Sequence, residues 1–170
     1  MNNNENLKLF VKISQQRMYS HYLPKLINSV QELNSKQLWS KEIPNINAVG
    51  GIVLHICEHV RRNFIRFSNQ NHAGFSKGIE DYFPDSNLSV QELVQIVKET
   101  FNEFNDTMTS LFNNLPDQID MHSLYHLVEH TGYHLGQVVD RSKRITNKSY
   151  SFCQNGLNEK NLKLIIEEER

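Results

Sequence analysis

Four histidines at four-residue intervals, His122, His126, His130 and His134, constrain most strongly what this chain can fold into. Leu124, Leu127, Val128, Tyr133 and Leu135 stand among them without a proline, so the pattern predicts an α-helix from about Ile119 to Ile145. Each four-residue step along such a helix turns about 40° and climbs about 6 Å. Neighbouring histidines therefore share a face, while the first and last diverge by about 120°. Only adjacent pairs can close on one ion. His130 and His134 are the pair selected, and a third ligand has to come from another helix.

Helical periods also run through the rest of the chain. Leu7, Phe10, Val11, Met18, Tyr22, Leu26, Ile27, Val30 and Leu33 recur at helical spacing over 5–33, where Pro24 is expected to kink or split the helix. Residues 35–46 read as a loop whose Trp39 plugs one end of the core. Asn45 or Asn47 is expected to cap a second helix reaching about Ser68. Gly50-Gly51 in its first turns implies either fraying or the close approach of a neighbouring helix. A long polar connection over 69–87 follows, either a partial cover for a site or a plain crossover. Ser89-Val-Gln-Glu92 is a capping box, and Leu93, Val97, Phe101, Phe104, Met108 and Leu111 carry a third helix to about Asn113. Leu157 to Ile166 supplies a short last helix, and the acidic Glu167-Glu168-Glu169 opposes its dipole and favours fraying. These signals predict an all-α fold, a four-helix bundle with a short additional C-terminal helix, in a single domain over 1–170.

Composition narrows the function classes. The formal net charge is -1 and the pI about 6.7, whereas nucleic-acid-binding domains are usually strongly basic. Local clusters such as Arg61, Arg62 and Arg66 read as solvated helix faces. Mean hydropathy is -0.55, and no apolar run approaches the roughly 20 residues that a membrane span needs. The opening Met-Asn-Asn-Asn-Glu-Asn lacks the basic and apolar parts of a signal peptide, so a cytoplasmic protein is expected. Cys57 and Cys153 are too few for a disulfide framework, and Cys57 reads as a buried thiol.

Three imidazoles hold a metal only if they are neutral and converge on one point. One helix supplies two of them through i, i+4, and the third must reach across the core. His55 is the leading candidate, because Ile52, Val53, Leu54 and Ile56 surround it and an unpaired imidazole is costly to bury there. His59, one turn on, is the runner-up. His21 lies in a different helix and His72 in the polar connection. The HExxH of zinc proteases and the Glu-x-x-His pairs of di-iron bundles are both absent. On spacing alone, a surface stripe of histidines without a ligand role stands as the alternative.

His130-Thr-Gly-Tyr-His134-Leu-Gly-Gln137 resembles the motif of the DinB-like superfamily, which includes the bacillithiol S-transferase and YfiT-like proteins. Leu38-Trp39, a proline-containing loop and a helix carrying His55 agree with it in order and spacing over most of 5–146. The resemblance implies a four-helix bundle, often a homodimer, with a divalent metal on His55, His130 and His134. Zinc or nickel suits such a set, which leaves a coordination position open as catalytic sites do. Some relatives transfer low-molecular-weight thiols to electrophiles. Gly50-Gly51 and the additional histidines at 59, 122 and 126 depart from the family pattern.

The expected function is a metal-dependent thiol S-transferase or hydrolase acting on a small electrophile. A non-catalytic, metal-binding, stress-associated dimer is the competing reading. Glu58 is a candidate base or ligand-orienting group, with an ion pair to Arg61 or Arg62 as its alternative. Gln137 is a candidate partner for a ligand or for bound water. Gly132 and Gly136 are expected to admit a close neighbour beside His134. Arg62 and Arg141 each follow a ligand by seven residues and would share a mouth for an anionic thiol if their helices ran parallel. Free histidine titrates near 6.5, so metal binding should weaken as the pH falls toward 5.

Overall fold

Pro24 organises the first helical unit. In the computed structural model, which describes residues 3–68 and 78–168, α1 (Asn3–Gln16) and α2 (Leu23–Val30) are joined by a π-helical turn, Arg17–Tyr22. The Leu23 amide bonds five residues back to the Met18 carbonyl, and Pro24, which has no amide, sits in the first turn of α2. Gln16, Tyr22 and Leu23 all keep right-handed helical dihedrals. The proline therefore changes the hydrogen-bond pattern without interrupting the rod.

The segment expected to be a loop begins instead with a short helix, α3 (Ser35–Trp39). Asn34 and Gln37 form a capping box, each side chain accepting the other's amide at 2.9 and 3.0 Å. Its last residue, Trp39, donates its indole N–H to the Leu88 carbonyl at 2.7 Å. The helix α4 (Val49–Phe67) starts from Ala48, and no side chain caps it. The expected asparagine cap is not formed, because the helix begins one residue later and Ala48 fills the cap position, while the Asn47 carbonyl accepts from the Arg141 guanidinium.

The two glycines of α4 are explained by close approach, not by fraying. A Cβ on Gly50 would lie 2.5 Å from the Trp39 ring, and one on Gly51 would lie 3.0 Å from the Pro84 carbonyl oxygen. The neighbours are thus α3 and the connection after α4, rather than another long helix.

The helix α5 (Val90–Asn113) starts at the predicted box, with Ser89 and Glu92 capping each other. In α6 (Met121–Thr146), Asp120 caps the first turn through the Ser123 amide, and Asn147 closes the end in the left-handed region at φ 53°. α7 (Glu159–Glu168) is held to the rod by Arg17, which donates to both Glu159 oxygens at 2.7 and 2.8 Å, and by buried Leu162. This helix continues through Glu168, with Lys163 beside Glu167 at 3.7 Å. Glu169 lies outside the described residues, as do His72 and the 69–77 part of the connection.

α4 packs along both α5 and α6, and the α1–α2 rod lies across α5 and α6. One continuous apolar core results, in which Met18, Leu26, Ile56, Phe101, Phe104 and Leu127 are almost fully buried. Each such side chain contributes about 1.5–3 kcal/mol, so packing outweighs intrinsic helix propensity in setting the arrangement. The described residues are helical or irregular, with no strand among them. None of their helices is long and apolar enough to cross a membrane.

Candidate metal centre

The sequence places histidines on α4 at 55 and 59, and on α6 at 122, 126, 130 and 134. Their ring contacts fix how the two helices run. His55 lies 4.6 Å from His134 and 5.0 Å from His130, centroid to centroid, while His59 lies 3.8 Å from His130 and 6.3 Å from His126. Advancing along α4 therefore retreats along α6, and the helices are antiparallel. A ladder of imidazoles follows the seam, from His134 through His55, His130 and His59 to His126.

His55, His130 and His134 bring one nitrogen each within 4.8 Å of one another. Nε2 of His55 and Nε2 of His130 stand 3.3 Å apart. Nitrogens placed tetrahedrally at about 2.1 Å from zinc are separated by about 3.4 Å, so this spacing already fits a ligand pair. His55 is 1% exposed and His134 7% exposed, whereas His122 and His126 are exposed. These last two do not join the group.

The tautomers of two candidate ligands are set by their surroundings. Nδ1 of His55 donates to the Tyr82 carbonyl at 3.0 Å, since a carbonyl only accepts. Nδ1 of His134 donates to Oε1 of Gln137 at 3.0 Å. Both rings thus keep the Nε2 lone pair for an ion, the arrangement that outer hydrogen bonds usually impose on ligating histidines. Gln137 touches a candidate ligand as the sequence suggested. Nδ1 of His130 is buried and finds no hydrogen-bond partner among the described residues.

Burial, with help from neighbouring histidines, pushes His59 and His130 down to about 3. The same desolvation lowers His55 and His134, and for His134 the Gln137 hydrogen bond opposes it. All four are neutral at neutral pH, as ligation requires. Loss of metal on acidification is therefore expected below the range set by free histidine.

The connection entering α5 completes the site, a contribution that sequence reasoning left open. Gly51 lets the backbone at Phe83 and Pro84 press against α4. That contact seats the Phe83 ring on His55 at 4.1 Å, nearly parallel, with the Tyr82 carbonyl beside it. The aromatic pair Tyr82-Phe83 in an otherwise polar stretch was the available signal. The part of the connection described here is a cover over His55.

Other candidates fall elsewhere. Glu58 takes up Arg62 at 2.8 Å and Arg61 at 3.2 Å, the ion-pair alternative raised for it. Arg62 and Arg141 lie toward opposite ends of the seam, because α4 and α6 are antiparallel, so no shared mouth exists. Gly132 admits Tyr22, whose hydroxyl would stand 2.9 Å from a Cβ there, whereas Gly136 has nothing within 4 Å. His21 belongs to a separate contact with Lys25, whose ammonium donates to its Nε2 at 2.6 Å. Cys57 is buried on another face of α4, and burial pushes its thiol up to about 12.

The buried histidines are thus positioned to hold a metal ion, with His55, His130 and His134 as one such group. Compared with family models, curated proteins and solved structures, the chain matches none.

Proposed function

We propose that this chain is a DinB-like four-helix bundle, with α7 as the added helix, that binds one divalent transition metal through His55, His130 and His134. The observation that carries the reading is the meeting of two Nε2 atoms at 3.3 Å while the Nδ1 atoms of His55 and His134 donate elsewhere. Rings so oriented and neutral need little rearrangement to ligate. Zinc or nickel is the proposed ion, on the preference of imidazole for such metals. When bound, it supplies a Lewis acid with a position open to a small substrate.

The chain's own residues divide the remaining work. Tyr82 and Gln137 hold two ligand rings in one tautomer, and Phe83 shields His55 from water. The proposed reaction class is transfer of a low-molecular-weight thiol to a small electrophile, or hydrolysis of one. A homodimer is part of this reading on the family resemblance alone.

Protein prepared without a polyhistidine tag should consume a reactive electrophile only when loaded with zinc or nickel, with a small thiol added if the reaction is transfer and in buffer alone if it is hydrolysis. His130→Ala should abolish that consumption together with metal retention. Metal bound tightly with no turnover either with or without added thiol would favour the non-catalytic alternative. Failure to bind metal would sink both.

A further inference from the structure

The ladder has one rung more than a three-histidine site uses. His59 is 5% exposed, and its Nε2 has no hydrogen-bond partner among the described residues. Leaving such an atom buried and unpaired costs about 1–3 kcal/mol, so it marks a place where a partner belongs. Its ring lies almost face to face with His130, 3.8 Å away at 30°. One nitrogen of His59, one of His130 and a carboxylate oxygen of Glu80 all lie within 4.8 Å of one another.

Glu80 reaches this place from the 3-10 turn Ile79–Asp81, entered through Gly78 at φ 94°, a conformation that glycine adopts without strain. Two residues on, the Tyr82 carbonyl and the Phe83 ring pin the same turn onto His55. The carboxylate is therefore held over the middle of the ladder by contacts that do not involve its own charge. It makes no hydrogen bond or ion pair among the described residues, whereas Glu58 on the same helix as His59 is occupied by Arg61 and Arg62.

We propose that His59, Glu80 and His130 form a second seat for a divalent cation, adjoining the three-histidine seat along the α4–α6 seam. Two imidazoles and a carboxylate make a harder donor set than three imidazoles, suited to ions such as cobalt(II) or manganese(II) as well as zinc. His130 belongs to both seats, and a neutral imidazole has one lone pair to give. The seats are thus filled one at a time, and the chain binds one ion in either. The carboxylate seat opens toward solvent at Glu80, so it is also the first that an incoming ion meets.

This inference rests on the metal-binding reading, and the test separates the two. Cobalt(II) binding is titrated by visible absorption in tag-free wild-type protein, Glu80→Gln, His134→Ala and His134→Ala/Glu80→Gln, with His55→Ala as a second background in case His134→Ala does not fold. His134→Ala should weaken binding yet still take one cobalt per chain with an altered spectrum. Adding Glu80→Gln to it should lower affinity at least about tenfold more than Glu80→Gln does in wild type, the signature of direct coupling at that seat. Equal effects of Glu80→Gln in both backgrounds, or no cobalt on either single-histidine variant, would overturn the second seat while leaving the first intact. No effect of His134→Ala and His55→Ala on wild-type binding would instead overturn the three-histidine reading.

Discussion

At the scale of single residues, His130 is the hinge of the site. It faces His55 through Nε2 and stacks on His59, and burial holds it neutral with a pKa near 3. Partners outside the ligand set matter because they choose which nitrogen keeps its lone pair. Gln137→Leu should therefore weaken metal binding by about 10–100-fold with helicity unchanged, measured by calorimetric titration. His122→Ala and His126→Ala, both at exposed positions of α6, should leave it unchanged. The His130/His134 pair is legible from a four-residue step, and His55 from its apolar neighbours. The Tyr82 carbonyl is not legible, because every residue carries one and only the fold decides which is aimed at an imidazole. Acidification gives a further check at this scale. Three histidines titrating near 6.5 would lose more than about 10⁴ in affinity between pH 7 and pH 5. With all four rings held below their ordinary values, the fall should be smaller, and a loss as large as the free-histidine figure would contradict the burial described here.

At the scale of elements, glycines show where helices are shaped by neighbours. Gly50→Ala puts a methyl into the Trp39 ring and should destabilise the fold by about 1–3 kcal/mol, despite alanine's better helix propensity. Gly136→Ala, with open space around it in mid-helix, should stabilise by about 0.5–1 kcal/mol. Urea unfolding of the two variants checks the opposite signs, and a shared sign would contradict the packing. Helix periods made α4, α5 and α6 readable, since each buries one apolar stripe. The α3 box was readable too, as Asn34-x-x-Gln37, but the surrounding polar residues masked it. The direction in which α4 and α6 run relative to one another is a property of packing, which no local pattern of either helix specifies.

At the scale of the whole molecule, the metal-free chain carries buried neutral histidines whose unfolded counterparts titrate near 6.5. His59 and His130 have folded values of about 3, so between pH 6.5 and 3 the unfolded chain binds more protons than the folded one. Stability should be greatest above this window and fall on acidification, by up to about 1.4 kcal/mol per pH unit for each histidine. Urea midpoints of the metal-free protein at pH 7, 6 and 5 would show it, and a flat profile would speak against burial. A bound ion that prefers the folded chain adds stability by mass action and clamps α4 to α6. Whether three histidines from those two helices close on one ion is answered most directly by X-ray absorption fine structure of the zinc-loaded, tag-free protein. The fold described here predicts three imidazole nitrogens at about 2.0–2.1 Å in wild type, and two in His55→Ala. A shell with no imidazole scattering, or one unchanged by His55→Ala, would contradict it.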